Sequence, residues 1–442
     1  MSGPRIVLAP DKFKGSLTAA GVADAVADGI RRVRPDADIR LVPVADGGEG
    51  TVDAAVRAGF DRVPVEVCGP TGAWVSAAFA HNGSVAVVEA AAACGLALLP
   101  DGVPAPLTAT SLGVGQLLRA ALDLGCRTLV LGVGGSACTD GGAGLLAGLG
   151  ADLLRADGRP ADPGGGGLTD IAYLDLHGLD PRSHEVELVL ASDVDHPLLG
   201  NSGAAAVFGP QKGAGAREIS ALEAGLTHWA RLVAQRTGFD AADRPGAGAG
   251  GGIGFAALAV LGARRAGGIE ILLDVVDFDR HARGADLIVT GEGSLDAQTL
   301  HGKAPAGVAA RAAAHGVPAV AVAGRQLLDD KQLRAAGFTA AYALTDLEPD
   351  PRRCHTHAPE LLTHHGEHIA RQHLPPSRAH DRHPNAPLNR RQTPPHPPTT
   401  PPTTPPRPPT PPPQTHKHPL GQIGAHGARN RFGPKQPVPV VY

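Results

Sequence analysis

The same local grammar opens the chain and returns far downstream, and it fixes the class of fold. "RIVLAP" (Arg5 to Pro10) is a short apolar run of strand character and "DKFKGS" a polar loop. Leu17, Val22, Val26, Ile30 and Val33 then recur at near-helical spacing, and "DIRLVPV" (Asp38 to Val44) is a second strand. Much later, "ADLIVTGEG" runs from strand into glycine loop, "APAGVAARAAAHG" is helical and "PAVAVAG" is strand again. Parallel strands need a crossover connection, usually a helix, so each block is a parallel-sheet unit. Two such blocks with a long interval between them imply one parallel sheet interrupted by an inserted domain: an α/β protein.

The interval has its own pattern. "SAAFAHNGSVAVVEAA" predicts a hairpin turning at Asn82-Gly83. "SLGVGQLLRAALDLG" predicts a helix, "CRTLVLGVGG" and "VELVLASDV" buried strands, and "GGIGFAALAVLGARR" a helix weakened by glycine at its start. The expected organisation is residues 1–68 and 284–374 for the interrupted domain and 69–283 for the insert. Beyond that, "TPPHPPTTPPTTPPRPPTPPP" (Thr393 to Pro413) cannot build a core. Residues 375–442 are expected to be a disordered, polyproline-II-like tail.

Composition narrows the functions. A net charge of −3 gives no global reason to bind nucleic acid or an anionic membrane. Aromatic residues make up only 3%, too few for a base-stacking platform. No basic stretch with a long apolar run marks a leader at the N-terminus, and no apolar run is long enough to span a bilayer. The five cysteines are scattered without CxxC spacing, which suits reduced thiols in the cytoplasm.

Chemistry concentrates where strands end. "VADGGEGT" (Val44 to Thr51) mixes glycine with Asp46 and Glu49. The same mixture recurs in "GVGGSACTDGGAG" (Gly132 to Gly144), "ASDVDHPL" (Ala191 to Leu198) and "TGEGSLDAQTLHGKAP" (Thr290 to Pro305). Ligands of open α/β sheets bind beyond the carboxyl ends of strands. Glycine amides with Lys12, Lys14, Lys212 or Lys303 suit phosphate oxygens. Carboxylates such as Asp46, Asp140, Asp193 or Asp296 suit Mg²⁺ or the proton of an attacking hydroxyl. A ligand wanting both is a metal-bound nucleoside triphosphate beside an alcohol. Of Asp193 and Asp195, which flank Val194 past an apolar strand, one is expected to reach the cleft while the other caps a turn. "GVGGSA" also fits a dinucleotide fingerprint, but the acid expected some twenty residues on is not evident. That keeps two alternatives open: a nucleotide-linked 2-hydroxy acid oxidoreductase and a non-catalytic organic-acid sensor. No GxxxxGK[ST] P-loop occurs.

Nine stretches taken in order, among them "APDKFKGSL", "PVADGGEGT", "GVGGSACTDGGAG", "SDVDHPL", "GAAAVFGPQKGA" and "LIVTGEGSLDAQTLHGKAPAGVA", resemble the bacterial type I glycerate kinase family from about Arg5 to Leu374. The resemblance implies a Rossmann-like domain with an inserted α/β domain, and transfer of the ATP γ-phosphoryl group to a hydroxyl of D-glycerate with Mg²⁺. On these loops glycerate is expected between the domains, its carboxylate on Lys14 with Ser16 nearby. ATP phosphates would run along Gly134, Gly135 and Ser136 with Lys303 as a second cation. Asp193 or Asp140 would hold Mg²⁺, and Asp46 or Asp296 would orient or deprotonate the hydroxyl. Two departures stand out: Thr139 where many members have Asn, and Ser294 where many have Arg. If that arginine balances phosphate charge, Lys303 or another cation must do so here.

Overall fold

The computed structural model describes residues 3–375; the proline-rich segment expected to be disordered lies outside them. The chain opens with strands β1 (Arg5–Pro10) and β2 (Asp38–Leu41), followed by β3 (Asp61–Cys68), β4 (Trp74–His81), β5 (Val85–Glu89) and β6 (Thr128–Gly132). Then come β7 (Asp152–Leu154), β8 (Tyr173–Asp175), β9 (Glu187–Ala191) and β10 (Arg264–Ala266). Last are β11 (Leu287–Leu295), β12 (Ala319–Gln326) and β13 (Phe338–Ala343).

The first sheet has the order β13-β12-β11-β1-β2 and is parallel throughout. Counted within that sheet, the order is the doubly wound 2-1-3-4-5, whose direction of winding reverses between β1 and β11. Alternation along β1 feeds both faces. Ile6 and Leu8 pack with Val22, Val26 and Ile30 of the helix Ala19–Val33 on one side. Val7 and Ala9 pack with Val308 and Ala309 of the helix Ala304–Ala314 on the other. The helix Ala19–Val33 starts where the Thr18 side chain accepts a hydrogen bond from Gly21 N. It lies so close to the helix Ala358–His373 that a Cβ on Gly29 would sit 1.9 Å from the Thr363 carbonyl oxygen.

The second sheet has the order β10-β9-β6-β5-β4-β3. From β10 to β5 it is parallel, while β5, β4 and β3 are antiparallel. The hairpin at Asn82-Gly83 forms as expected: Gly83 has φ 90°, and Asn82 Oδ1 accepts from Val85 N at 2.9 Å. The core of this half gathers Trp229, Phe255 and Phe79 with Leu117, Leu131 and Leu145.

Sheet membership differs from the expected limits of 68 and 283. β3, inside the expected first segment, pairs along its length with β4 in the second sheet. Ile269, Leu272 and Phe278, inside the expected insert, pack in the core of the first. The partner of β3 is set by its own hairpin with β4, where Gly69 N donates to the Ala73 carbonyl oxygen, and the place of the helix that carries Ile269 and Leu272 by docking, neither of which local apolar pattern reveals. The strands change sheets between Leu41 and Asp61, and again between Ala266 and Leu287.

Candidate active site

Loops past three strand ends, β2 of the first sheet and β6 and β9 of the second, converge on one cleft. Its cavity of about 190 Å³ is lined by Asp46, Gly134, Gly135, Ser136, Asp193 and Lys212, with the Gly47-Gly48 and Gly250-Gly251 backbone closing it. The glycines have a packing cause. A Cβ on Gly132 would meet the Gly47 carbonyl oxygen at 2.2 Å, and one on Gly134 would meet Gly48 Cα at 2.8 Å. The loops after β2 and β6 touch backbone to backbone, which only glycine allows.

Each polar group is held from behind. Asp46 Oδ1 accepts from Gly48 N at 3.2 Å. Asp193 Oδ1 accepts from Gly268 N at 2.8 Å, at the start of the helix Gly268–Val275. Burial pushes the Asp193 carboxyl up to about 6 against that hydrogen bond, and the Asp46 carboxylate adds to the rise. Asp195 does not line the cavity and pairs with Arg265 at 2.5 Å. Lys212 is only 3% exposed. Its Nζ donates to Ser136 Oγ at 3.3 Å and to the Cys138 carbonyl, and burial pushes its pKa down. Ser136 is fixed by backbone contacts with the loop 94–96, including Ala137 N to Cys94 O at 2.7 Å.

Around the β1/β11 reversal the acids crowd. Asp11, at the end of β1, is raised to about 7 by burial, with Asp46 and Glu292 adding to the rise and Lys12 opposing it. Asp11 was legible only as part of "APDKFKGS"; its place at the reversal point is the signal that singles it out. Glu292 accepts from Thr299 Oγ1 at 2.6 Å and pairs with Lys303 Nζ at 3.6 Å. Lys303 therefore answers a carboxylate of its own loop and does not line the cleft cavity.

The other expected residues fall elsewhere. Asp140 is 1% exposed and outside the cavity lining. Its oxygens accept from Ser111 N at 2.7 Å, Ser111 Oγ at 2.9 Å, Gly142 N at 3.1 Å and Gly144 N at 3.3 Å. With those lone pairs occupied, it fits a structural clamp and not a metal ligand. Beside it, Thr139 Oγ1 is buried without a hydrogen-bond partner. Asp296 accepts from Ser294 Oγ at 3.1 Å and Gln298 N at 2.9 Å, closing its own turn. Lys14 and Ser16 line a second cavity with Arg325 and His355, where Ser16 Oγ donates to the His355 carbonyl at 2.7 Å.

Among the described residues, no group of three His, Cys, Asp or Glu side chains is placed to hold a metal ion. Asp46 and Asp193 share one cavity, however, and are hard oxygen donors. Two carboxylates, with phosphate and water completing the shell, fit the way Mg²⁺ is usually held. Among the described residues no helix is long and apolar enough to cross a membrane.

The sequence model of the glycerate kinase family matches residues 6–374. The glycerate kinase of Bacillus subtilis strain 168 is 43% identical over 83% of this chain and 97% of its own length. The glycerate 2-kinase of Escherichia coli K12 is 44% identical over 77% of this chain and 90% of its own. A crystal structure from Salmonella typhimurium LT2 superposes with a TM-score of 0.72 at 42% identity, covering 84% of this chain and 98% of that one. With nearly all of the two-sheet body matched, the chain belongs to the glycerate kinase family.

Proposed function

We propose that this chain transfers the γ-phosphoryl group of ATP to a hydroxyl of D-glycerate, giving 2- or 3-phosphoglycerate, as a cytoplasmic enzyme of organic-acid metabolism. The observation that carries the reading is the single cleft in which Asp46 and Asp193 face the Gly134–Ser136 loop and the buried Lys212. Opposed charges at this density suit a small hydroxy acid beside a polyphosphate.

The work of the protein is placement and charge balance. The N–H groups of the Gly134–Ser136 loop and the Lys212 ammonium stabilise charge on the transferring phosphoryl oxygens. Lys212 cannot drift, because its Nζ is tied to Ser136 Oγ and the Cys138 carbonyl. Asp46 orients the attacking hydroxyl and accepts its proton as the oxygen–phosphorus bond forms and the bond to the β-phosphate oxygen breaks. Asp193 would hold Mg²⁺, which neutralises phosphate charge when bound. Contact between the two sheets across Gly47 and Gly132 holds the two walls of the cleft together.

The test is incubation with Mg·ATP and D-glycerate, following ADP release and resolving 2- from 3-phosphoglycerate by phosphorus NMR. Glycerate-dependent ADP release is expected. Purified, folded protein that releases no ADP over background would overturn the proposal.

A further inference from the structure

A cavity apart from the cleft, about 660 Å³, lies against β10, the edge strand of the second sheet. That size suits a small organic molecule. Its lining is apolar at Phe239, Leu258 and Val260 and basic at His184, Arg244 and Arg265. Among the described residues that line it, none is a carboxylate.

The positive charge here is only partly answered. The Arg244 guanidinium lies 5.4 Å from the centre of the Phe239 ring, and no carboxylate among the described residues pairs with it. Side chains alternate along β10, so its two arginines serve opposite faces. Arg264 meets Glu187 at 3.1 Å, while Arg265 reaches the cavity. Arg265 pairs at 2.5 Å with Asp195, whose side chain is 79% exposed, and its own buried Nε has no hydrogen-bond partner. A buried N–H left so calls for an acceptor. Guanidinium forks suit carboxylate, sulfonate and phosphate oxygens. A bare anion gains nothing from Phe239 and Leu258, and a plain hydrocarbon gains nothing from the arginines.

We propose that this cavity is a regulatory site for a small amphipathic organic anion, and that its occupancy is felt in the cleft through Arg265. The anion competes with Asp195 for the guanidinium. Asp195 stands two residues beyond Asp193, which lines the cleft. The Arg265 stem also lies on Gly246, where an added Cβ would sit 2.7 Å from Arg265 Cδ. Gly246 begins the loop that ends in the Gly250-Gly251 backbone of the cleft. Drawing Arg265 off Asp195 loosens both segments, so the ligand should weaken binding in the cleft, and cleft ligands should weaken it in return.

The experiment uses full-length protein and the fluorescent dye anilinonaphthalene sulfonate, an aromatic body with one anionic group. Arg244→Glu and Arg265→Met are the variants; Arg217→Glu, an exposed arginine outside the cavity lining, is the control. Dye binding should saturate, weaken about tenfold in each variant, and keep its wild-type strength in the control. Inorganic phosphate should not displace the dye; displacement would overturn the amphipathic class of ligand. Saturating dye should raise the KM for ATP about fivefold in wild-type protein. Arg265→Met should show a raised KM without dye and no further rise with it. Equal dye binding in all four proteins, or complete displacement by Mg·ATP, would overturn the site. Dye bound there with KM unchanged would overturn the link to the cleft. The dye readout needs no turnover, so failure of the site and failure of the kinase reading are told apart.

Discussion

Asp193, just past β9, accepts a hydrogen bond at 2.8 Å from the backbone N–H of Gly268, where the chain returns to the first sheet. One carboxylate thus faces the cleft while bracing the start of a helix that packs under the other sheet. The partial positive charge of a helix start favours such a carboxylate. Asp193→Asn keeps an acceptor for Gly268 but removes the charge. We expect unchanged folding by circular dichroism and a fall in kcat of about 10- to 100-fold, measured by ADP release. Near-normal turnover would remove Asp193 from the reaction.

Asp140 is expected to behave differently. Its carboxylate satisfies the Ser111, Gly142 and Gly144 N–H groups in a buried setting. Asp140→Ala should lower unfolding free energy by on the order of 3 kcal/mol, read from urea denaturation. Loss of activity at full stability would restore the metal-ligand role.

Gly132→Ala tests the contact between the two glycine loops. The added methyl would meet the Gly47 carbonyl oxygen at 2.2 Å, backbone that cannot step aside cheaply. A destabilisation of about 1–3 kcal/mol, with a fall in kcat/KM, is expected. A variant with wild-type melting temperature and rate would show the loops to be looser than the structure has them.

Glu89, at the end of β5, accepts from Val52 N at 2.5 Å and is raised to about 7, chiefly by burial. A carboxyl raised above its unfolded value favours the fold in its protonated form. Its ionisation cost is absent below pH 4.5, grows as pH climbs toward about 7, and is complete above that. Glu89→Gln should therefore stabilise the protein at pH 8 by on the order of 2 kcal/mol, and change little at pH 5. Parallel stability–pH curves for the two proteins would contradict this.

Asp46, Asp193 and the Gly134–Ser136 loop were legible because each ends an apolar strand in a glycine-acid loop, and all of them line one cavity. Lys14, Lys303, Asp140 and Asp296 have the same local look yet serve different places. A loop's sequence shows that it carries charge, not which neighbour answers that charge. Lys303 meets Glu292 and Asp140 meets Ser111, partners outside any short motif.

By itself the sequence determined the α/β class, the hairpin at Asn82-Gly83, the strand ends that bear chemistry and the family. Those follow from backbone geometry and apolar period, which act over a few residues. The tertiary structure alone decided that β3 joins the second sheet, that Gly47 and Gly132 meet, and that Lys14 stands in a cavity apart from Asp46. Those depend on which surfaces dock, a choice made by packing between segments far apart in the chain.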